Sequence, residues 1–181
     1  MMRSIPDPGF AGDDGGVDPG VSAALAAYDE APEAEEVGRR NATLAALQGA
    51  RVLVPVVAVL GEVAYDGQGL SYEKSSEMAA VLITGEDGRT ALLAFTGSAS
   101  LHRWAQARPG RSCEGGEPRP VPVTIRQAAQ AALHDGAQAL LLDVAGPVLF
   151  VVEGEGLCSL ADGCRLVPLP GGRWGWVSPA G

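Results

Sequence analysis

Residues 78–95, MAAVLITGEDGRTALLAF, hold two apolar runs on either side of Gly85-Glu86-Asp87-Gly88-Arg89. An Asp-Gly pair between two such runs is a strong hairpin signal, because glycine accepts the positive φ that a tight turn requires. The sequence therefore predicts two strands, from Met78 to Thr84 and from Thr90 to Phe95.

A second hairpin is predicted further along the chain. Two apolar runs, Ala139 to Leu142 and Pro147 to Val152, flank the turn Asp143-Val144-Ala145-Gly146. Both hairpins are rich in apolar residues on each face, so both need cover from helices or from a partner chain. We expect them to belong to one mixed or antiparallel sheet of about five strands.

The remaining strand signals are less regular. Val52 to Val59 is continuously apolar and predicts a strand covered on both faces, although Pro55 cannot donate to a ladder and so indicates a sheet edge or a bulge. Residues 61–77 are polar and predict a long loop, which is either functional or mobile. The tail from Arg173 to Val177 predicts a strand or an aromatic clip.

Helices are predicted from capping residues and apolar spacing. Asp18-Pro19 begins a helix with Val21, Leu25 and Tyr28 on its apolar side. The other four are a helix from Pro32 to Gln48 with Val37, Leu44 and Leu47 inward; one capped by Ser98 or Ser100 with Leu101, Trp104 and Ala105 inward; one capped by Thr124 with Ile125, Ala128, Ala129, Ala132 and Leu133 inward; and one from Glu155 to Ala161 with Leu157, Leu160 and Ala161 inward. Helices mixed with hairpins, without repeated βαβ units, predict an α+β domain in which three to five helices pack on the sheet.

The net charge of −9 is concentrated at the N-terminus, where residues 1–36 carry nine acids and one base. We expect residues 1–17 to be a disordered acidic arm that is dispensable for folding, because they have no periodic apolar positions. Residues 18–49 then form N-terminal helices, 50–165 the α+β domain and 166–181 a C-terminal tail.

Several classes of partner are excluded by composition. Nucleic-acid binding requires a basic field, which neither the acidic arm nor the nearly neutral remainder supplies. The longest apolar run falls short of the roughly 18 residues of a membrane span, and the N-terminus lacks the apolar stretch of a secretion signal. Three cysteines do not form a disulfide framework. We expect a cytoplasmic protein whose partner is another protein or a small ligand.

Three blocks of sequence carry a family resemblance. They are Leu53-Val54-Pro55-Val56-Val57-Ala58; then Ser75-Ser76-Glu77-Met78-Ala79-Ala80-Val81 continuing through Gly85-Glu86-Asp87-Gly88-Arg89 to Ala94-Phe95-Thr96; and finally Arg119-Pro120-Val121-Pro122-Val123 through Asp143-Val144-Ala145-Gly146-Pro147 to Glu153-Gly154. Their order and spacing, over roughly residues 37–165, resemble the N-terminal domain of the SseB family in actinobacteria. The resemblance implies an α+β fold in a single-domain member, with no established enzymatic activity and no catalytic residues to carry over.

The residues themselves do not assemble a familiar chemistry. Cys158 and Cys164 are not spaced as a zinc-binding pair, and His102 and His134 each stand on the polar side of a predicted helix. Thr96-Gly97-Ser98-Ala99-Ser100 lacks the last glycine of a nucleophile elbow, and no phosphate-binding glycine loop is present. We expect no catalytic residue, no cofactor and no metal.

Two functions remain open. The first is a non-enzymatic interaction or regulatory domain, whose binding energy would concentrate in exposed arginine and tryptophan anchors. Its candidate anchors are Arg103, Arg108, Trp174 and Trp176. The two tail tryptophans are also explained as cover for an open edge of the domain. The alternative function is a small-ligand-binding domain with the 61–77 loop as its lid.

Overall fold

A computed structural model of the chain describes residue 10 and residues 12–60, 63–65, 71–73, 76–107 and 118–179. The helical segments in these ranges are α1 (Pro19–Asp29), the 3-10 turn Glu33–Glu35, α2 (Glu36–Leu47), α3 (Ser98–Gln106), α4 (Ile125–His134) and α5 (Gly154–Ala161). The strands are β1 (Arg51–Leu60), β2 (Val63–Tyr65), β3 (Ser71–Glu73), β4 (Ser76–Ala80), β5 (Leu82–Thr84), β6 (Thr90–Ala94), β7 (Arg119–Thr124), β8 (Ala139–Leu142), β9 (Phe150–Glu153), β10 (Arg165–Leu169) and β11 (Arg173–Val177). The predicted α+β class is confirmed.

The two predicted hairpins lie in one sheet of order β5-β6-β8-β9. β5 pairs antiparallel with β6, and β8 pairs antiparallel with β9. The hairpins join where β6 runs parallel to β8, with Ala91 opposite Ala139 and Ala94 opposite Leu142. One mixed sheet therefore holds both hairpins, but it has four strands, and β4 pairs instead with β1 in a neighbouring sheet.

Pro55 lies within a central strand, so the prediction that it marks a sheet edge or a bulge is wrong. The second sheet has the order β4-β1-β7. The N–H of Val81 donates to the carbonyl of Pro55 at 2.9 Å. Pro55 has no N–H to donate back to the carbonyl of Val81, and this carbonyl accepts instead from the N–H of Leu93 at 3.2 Å. Proline is tolerated here because the chain passes at Val81 from β4, paired with β1, to β5, paired with β6.

The prolines of β7 also lie where the ladder needs no donor. Pro120 is opposite Pro55, and Pro122 is opposite Leu53. Leu53 and Pro55 form their backbone hydrogen bonds on the side of β1 away from β7. These two pairs are therefore the non-hydrogen-bonded pairs of the β1–β7 ladder, and the nitrogens of both β7 prolines face the outer edge of the sheet.

Helices cover both faces of the joined sheets. On one face, alternate residues of the strands, such as Leu92 and Leu140, are buried with α1, α2, α4 and α5 in the larger core. On the other face, Leu93 and Phe95 are buried with Leu101 and Trp104 of α3 in a smaller core. The strand alternation thus divides the apolar residues into two cores, as expected for a sheet covered on both sides.

The predicted helix starts at Asp18 and Thr124 are confirmed. The Asp18 carboxylate accepts from the N–H groups of Gly20 and Val21 at 2.8 and 3.1 Å. The Thr124 hydroxyl accepts from the N–H of Gln127 at 3.2 Å, and the side-chain carbonyl of Gln127 accepts from the N–H of Thr124 at 2.9 Å. This reciprocal pair is a capping box, which satisfies two amides that the first turn leaves without partners.

Three residues predicted to face inward are exposed instead. Val37 is 73% exposed, Leu133 is 41% exposed, and Ala105 is also exposed. Val37 is in the first turn of its helix and the other two are near the ends of theirs, where neighbouring residues are exposed as well. Apolar spacing gives the side of a helix that faces the core, but not how far along the helix the core extends.

The structure also differs from the predicted cap of α3 and from the predicted loop at residues 61–77. Gly97 is the N-cap of α3 and makes no side-chain capping bond, so neither Ser98 nor Ser100 caps that helix. Within the predicted 61–77 loop, β2 and β3 pair as an antiparallel hairpin, and β4 begins at Ser76. The predicted tail strand is confirmed as β11, which pairs with β10 around a turn at residues 170–172.

Candidate functional site

A cavity of about 220 Å³ lies at the carboxyl ends of the parallel strands β6 and β8. We call it the strand-end cavity. Its walls come from Gly15, Gly16, Val17, Ser22, Leu25, Ala26, Thr96, Gly97, Ala99, Ser100, Arg103, Asp143, Pro147 and Val148. The carboxyl ends of parallel strands are a frequent place for ligands, because the segments leaving the strands separate there.

Asp143 is the polar centre of this cavity. It follows β8, is 2% exposed and has φ of 55°, a left-handed conformation that few residues other than glycine adopt. Its Oδ1 accepts from the Thr96 N–H at 2.9 Å and from the Ser100 hydroxyl at 2.5 Å, and its Oδ2 accepts from the Thr96 hydroxyl at 2.6 Å. The carboxylate therefore joins the end of β8 to the segment that leads from β6 into α3.

Arg103 brings a positive charge to the same cavity. It lies one turn after Ala99 on α3, so both side chains are on the side of the helix that lines the cavity. Arg103 is exposed. The cavity thus combines apolar walls from Leu25 and Val148 with a cation at its surface.

A third charged contact, between Arg51 and Asp13, holds the segment that contributes Gly15, Gly16 and Val17 to one wall of the cavity. Arg51, at the start of β1, donates from Nε and Nη2 to the Asp13 carboxylate at 2.5 and 2.7 Å. It also donates to the carbonyls of Thr96 and Gly16, both at 2.6 Å. The Arg51 side chain is only 10% exposed. Residues 13, 15 and 16 of the predicted disordered arm therefore contact the domain. Residues 1–9 and 11 of that arm lie outside the described residues.

The electrostatics of Asp13 reflect this attachment. The hydrogen bonds from Arg51 lower the pKa of Asp13, burial opposes them, and the Gly15 N–H and the charge of Arg51 lower the pKa further. The net pKa is below the ordinary value for aspartate. The Asp13 carboxylate is therefore stabilised in its charged form by the contact with Arg51.

A second, more open concavity of about 750 Å³ lies between α2 and the β10–β11 hairpin. We call it the α2–β11 groove. It is lined by Ala34, Glu35, Val37, Gly38, Arg39, Asn41, Ala42, Gly172, Arg173 and Trp174. Glu35 and Arg39 form an ion pair within it at 3.1 Å, with both side chains at least half exposed.

The structure does not bring the predicted anchor residues together. Arg103 lines the strand-end cavity, whereas Trp174 lines the α2–β11 groove, and the two surfaces share no lining residue. Trp176 is half-buried against the larger core, near Gly156. Trp174 is also half-buried there, so both tryptophans cover the core, and Trp174 contributes to a surface as well. Arg108 lies outside the described residues.

Within the described ranges, no group of three or more His, Cys, Asp or Glu side chains is arranged to hold a metal ion. Every buried side-chain nitrogen or oxygen of the described residues has a hydrogen-bond partner. Cys158 and Cys164 are free thiols. No helix of the described residues is long and apolar enough to cross a membrane.

Sequence reasoning missed the residues that build these sites. The sequence predicts Asp143 as a turn residue and gives no sign that Arg51 pairs with Asp13. The Thr96–Asp143 contact depends on the parallel pairing of β6 with β8, which no local pattern predicts. A weak signal was available for Asp143, because aspartate is one of the few residues that tolerate left-handed backbone.

Comparison with known proteins adds one finding. A family model described as the SseB protein N-terminal domain matches residues 21–158. Neither the curated proteins nor the solved structures gave a match to this chain. The β10–β11 hairpin and the segment containing Asp13 both lie outside the matched residues.

Proposed function

Because the chain belongs to the SseB family, through its N-terminal domain, we propose that it is a non-enzymatic cytoplasmic interaction and regulatory domain whose protein partner docks in the α2–β11 groove. The observation that carries this proposal is Val37. It is 73% exposed on the wall of a groove whose opposite wall contains Trp174. An exposed aliphatic residue beside a tryptophan favours contact with an apolar partner.

The α2 side of the groove allows close approach. Three of its lining residues are small: Gly38 and Ala42 lie four residues apart on one side of α2, and Ala34 lies in the 3-10 turn that precedes it. A Cβ at Gly38 would meet nothing within 4 Å. A partner side chain can therefore lie against the helix backbone and contact Val37, and covering such a side chain stabilises binding by about 1–2 kcal/mol.

The charges of the groove define the partner further. The carboxylate of Glu35 already neutralises Arg39. Arg173 is exposed, and among the described residues its Nε donates to one acceptor, the carbonyl of Pro170, at 3.5 Å. The groove therefore has one positive charge without a counter-ion among the described contacts. We infer that the partner is a protein segment with an apolar anchor for Val37 and Trp174 and a carboxylate for Arg173.

A photo-crosslinker tests this surface directly. Benzoylphenylalanine placed at position 37 should produce a discrete crosslinked protein in the native cell. The control is the same residue at position 133, because Leu133 is also an exposed aliphatic residue on a helix. Mass spectrometry should locate the crosslink in a segment with an acidic residue beside an apolar one.

Affinity measurements then follow with the purified partner. Val37→Glu should weaken binding at least tenfold without lowering the unfolding temperature, whereas Leu133→Glu should bind like the unaltered protein. The proposal fails if position 37 gives no crosslink beyond that of position 133, or if Val37→Glu binds normally.

The strand-end cavity favours a second candidate function, small-ligand binding. Its position at the carboxyl ends of β6 and β8 is typical of ligand sites. Residues 15–17 lie over it, so a lid in this alternative is the N-terminal segment rather than the 61–77 loop, whose described residues do not line the cavity. At about 220 Å³ the cavity is below the ~300–1,000 Å³ of drug-sized sites, so its ligand would be small.

A thermal-shift screen of small metabolites tests the second candidate. A ligand of the cavity should stabilise the protein, and Arg103→Ala should abolish that stabilisation. Arg119→Ala is the control, because Arg119 is an exposed arginine on β7 and does not line the cavity. Stabilisation that survives Arg103→Ala would place the ligand elsewhere.

A further inference from the structure

Residues 12–17 are called the strap below, and three of them, Gly15, Gly16 and Val17, form one wall of the strand-end cavity. We propose that the strap is a lid that opens as a unit when the Asp13–Arg51 ion pair separates, and that its opening exposes the start of α3 and the cavity behind it. This proposal is independent of the α2–β11 groove.

The strap is attached mainly by hydrogen bonds and by the Asp13–Arg51 ion pair, and Val17 adds to the apolar lining of the cavity. The Asp13 carboxylate and the Gly16 carbonyl accept from Arg51, and the Gly15 carbonyl accepts from the Ser98 N–H at 2.8 Å. None of the strap residues belongs to either apolar core, and Val17 is 41% exposed. Opening therefore removes a few hydrogen bonds and displaces no core residue, although it uncovers the cavity walls formed by Leu25 and Val148 of the larger core. Segments held by so few contacts are those that open locally.

The strap has a natural hinge at its C-terminal end. Asp18 caps α1 through its own side chain, and α1 is anchored in the core by Val21 and Leu25. Neither the cap nor the anchors involve the strap. The strap can therefore swing away while the helix that follows it stays in place.

Two glycines, Gly97 in the domain and Gly15 in the strap, lie where the strap and the domain approach each other closely. A Cβ at Gly97 would lie 3.1 Å from the Val17 nitrogen and 3.3 Å from the Gly15 carbonyl oxygen. Gly97 has φ of −157°, which any residue adopts, so a side chain at this position is disfavoured by the closeness of the strap and not by the backbone conformation. Gly15 has φ of 78°, and its Cβ would lie 2.1 Å from the Ser98 hydroxyl.

Opening changes the partners of two donors. The Ser98 N–H loses the Gly15 carbonyl, its acceptor in the closed form. Arg51 loses Asp13 and Gly16 and keeps only the Thr96 carbonyl among the acceptors described. The amide of Ser98 is thus a direct reporter of opening, since it contacts the strap but belongs to the helix beneath it.

Hydrogen exchange detected by NMR on the full chain measures that reporter. Asp13→Asn weakens the ion pair, and Gly97→Ala adds a methyl group that lies too close to the backbone of Gly15 and Val17 in the closed strap. Each should accelerate exchange of the Ser98 amide at least tenfold and leave the amides of Leu92 in β6 and Leu140 in β8 unchanged. Asp14→Asn is the matched control, because among the described residues the side chain of Asp14 accepts only from the Gly16 N–H, within the strap.

Two results would overturn the proposal. Unchanged Ser98 exchange in Asp13→Asn would mean that the ion pair does not hold the strap closed. Equal acceleration at Ser98, Leu92 and Leu140 would mean that the strap is an integral part of the domain and not a lid. If Asp13→Asn does not fold, Gly97→Ala decides between these outcomes alone.

Discussion

The hydroxyl of Ser100 donates to the carboxylate of Asp143 at 2.5 Å, from the first turn of α3 to the residue that follows β8. The same hydroxyl contacts the Gly97 carbonyl at 3.0 Å. Because Thr96 supplies two more donors, both oxygens of the buried Asp143 side chain accept hydrogen bonds, and it has no ion pair among the described contacts. The two segments that leave the parallel strands are fixed to each other by this one side chain.

Asp143→Asn should destabilise the fold by about 1–3 kcal/mol. Asparagine tolerates the left-handed backbone at this position. Its side chain, however, has one acceptor oxygen, whereas the two oxygens of the aspartate carboxylate accept hydrogen bonds from three donors. Urea unfolding measures the change. Asp162→Asn, at an exposed position after α5, should unfold like the unaltered protein. An equal loss in both variants would contradict the role given to Asp143.

Deletion of residues 1–17 should lower stability by about 1–3 kcal/mol, because the nearly buried Arg51 loses its carboxylate and one carbonyl. This differs from the sequence expectation that the arm is dispensable. Differential scanning calorimetry tests it, with deletion of residues 1–9 as the control that keeps Asp13, Gly15 and Gly16. Equal unfolding temperatures for the two deletions would show that the strap contributes nothing to stability.

The contribution of Asp13 should depend on pH in a defined direction. Its pKa is lowered in the folded protein, so its stabilisation is fully present above the pKa of an unfolded aspartate, about 3.9, and is lost as the pH falls through the lowered folded value. The stability difference between the unaltered protein and Asp13→Asn should therefore be constant from about pH 6 to 8 and shrink in acid. A difference that grows on acidification would contradict this assignment.

Two substitutions on α2 should differ sharply in their effect on the free energy of unfolding. Leu44→Ala should cost about 2–5 kcal/mol, because Leu44 is 1% exposed in the larger core. Val37→Ala should change stability by less than about 0.5 kcal/mol, because Val37 is 73% exposed. Chemical denaturation of both variants checks the pair. A large loss in Val37→Ala would mean that its side chain packs within the fold and is not free for a partner.

The same pair shows how far the sequence determines the fold. Val37 and Leu44 are seven residues apart and fit one helical face, so periodicity predicts both as buried. Among signals that act within a few residues, the Asp18 cap, the Thr124 cap and the Asp-Gly turn are confirmed, whereas the cap predicted at Ser98 or Ser100 is wrong. The end of the core along α2 depends on which elements pack beside it, and this information is not local.

The candidate site illustrates the same limit. Arg103 was predicted as an exposed anchor, and it is exposed, but its position on the strand-end cavity follows from the pairing of β6 with β8. The Arg51–Asp13 contact joins residues 38 positions apart. Neither relationship has a spacing that a sequence pattern could reveal.

The outer edge of β7 has a consequence for how this domain meets other chains. Pro120 and Pro122 turn their nitrogens outward, and the N–H of Thr124 is bonded to Gln127. Along this edge, residues 120, 122 and 124 therefore offer no free donor to a neighbouring chain. An incoming β-strand would find acceptors without donors, which disfavours both strand addition by a peptide and edge-to-edge aggregation.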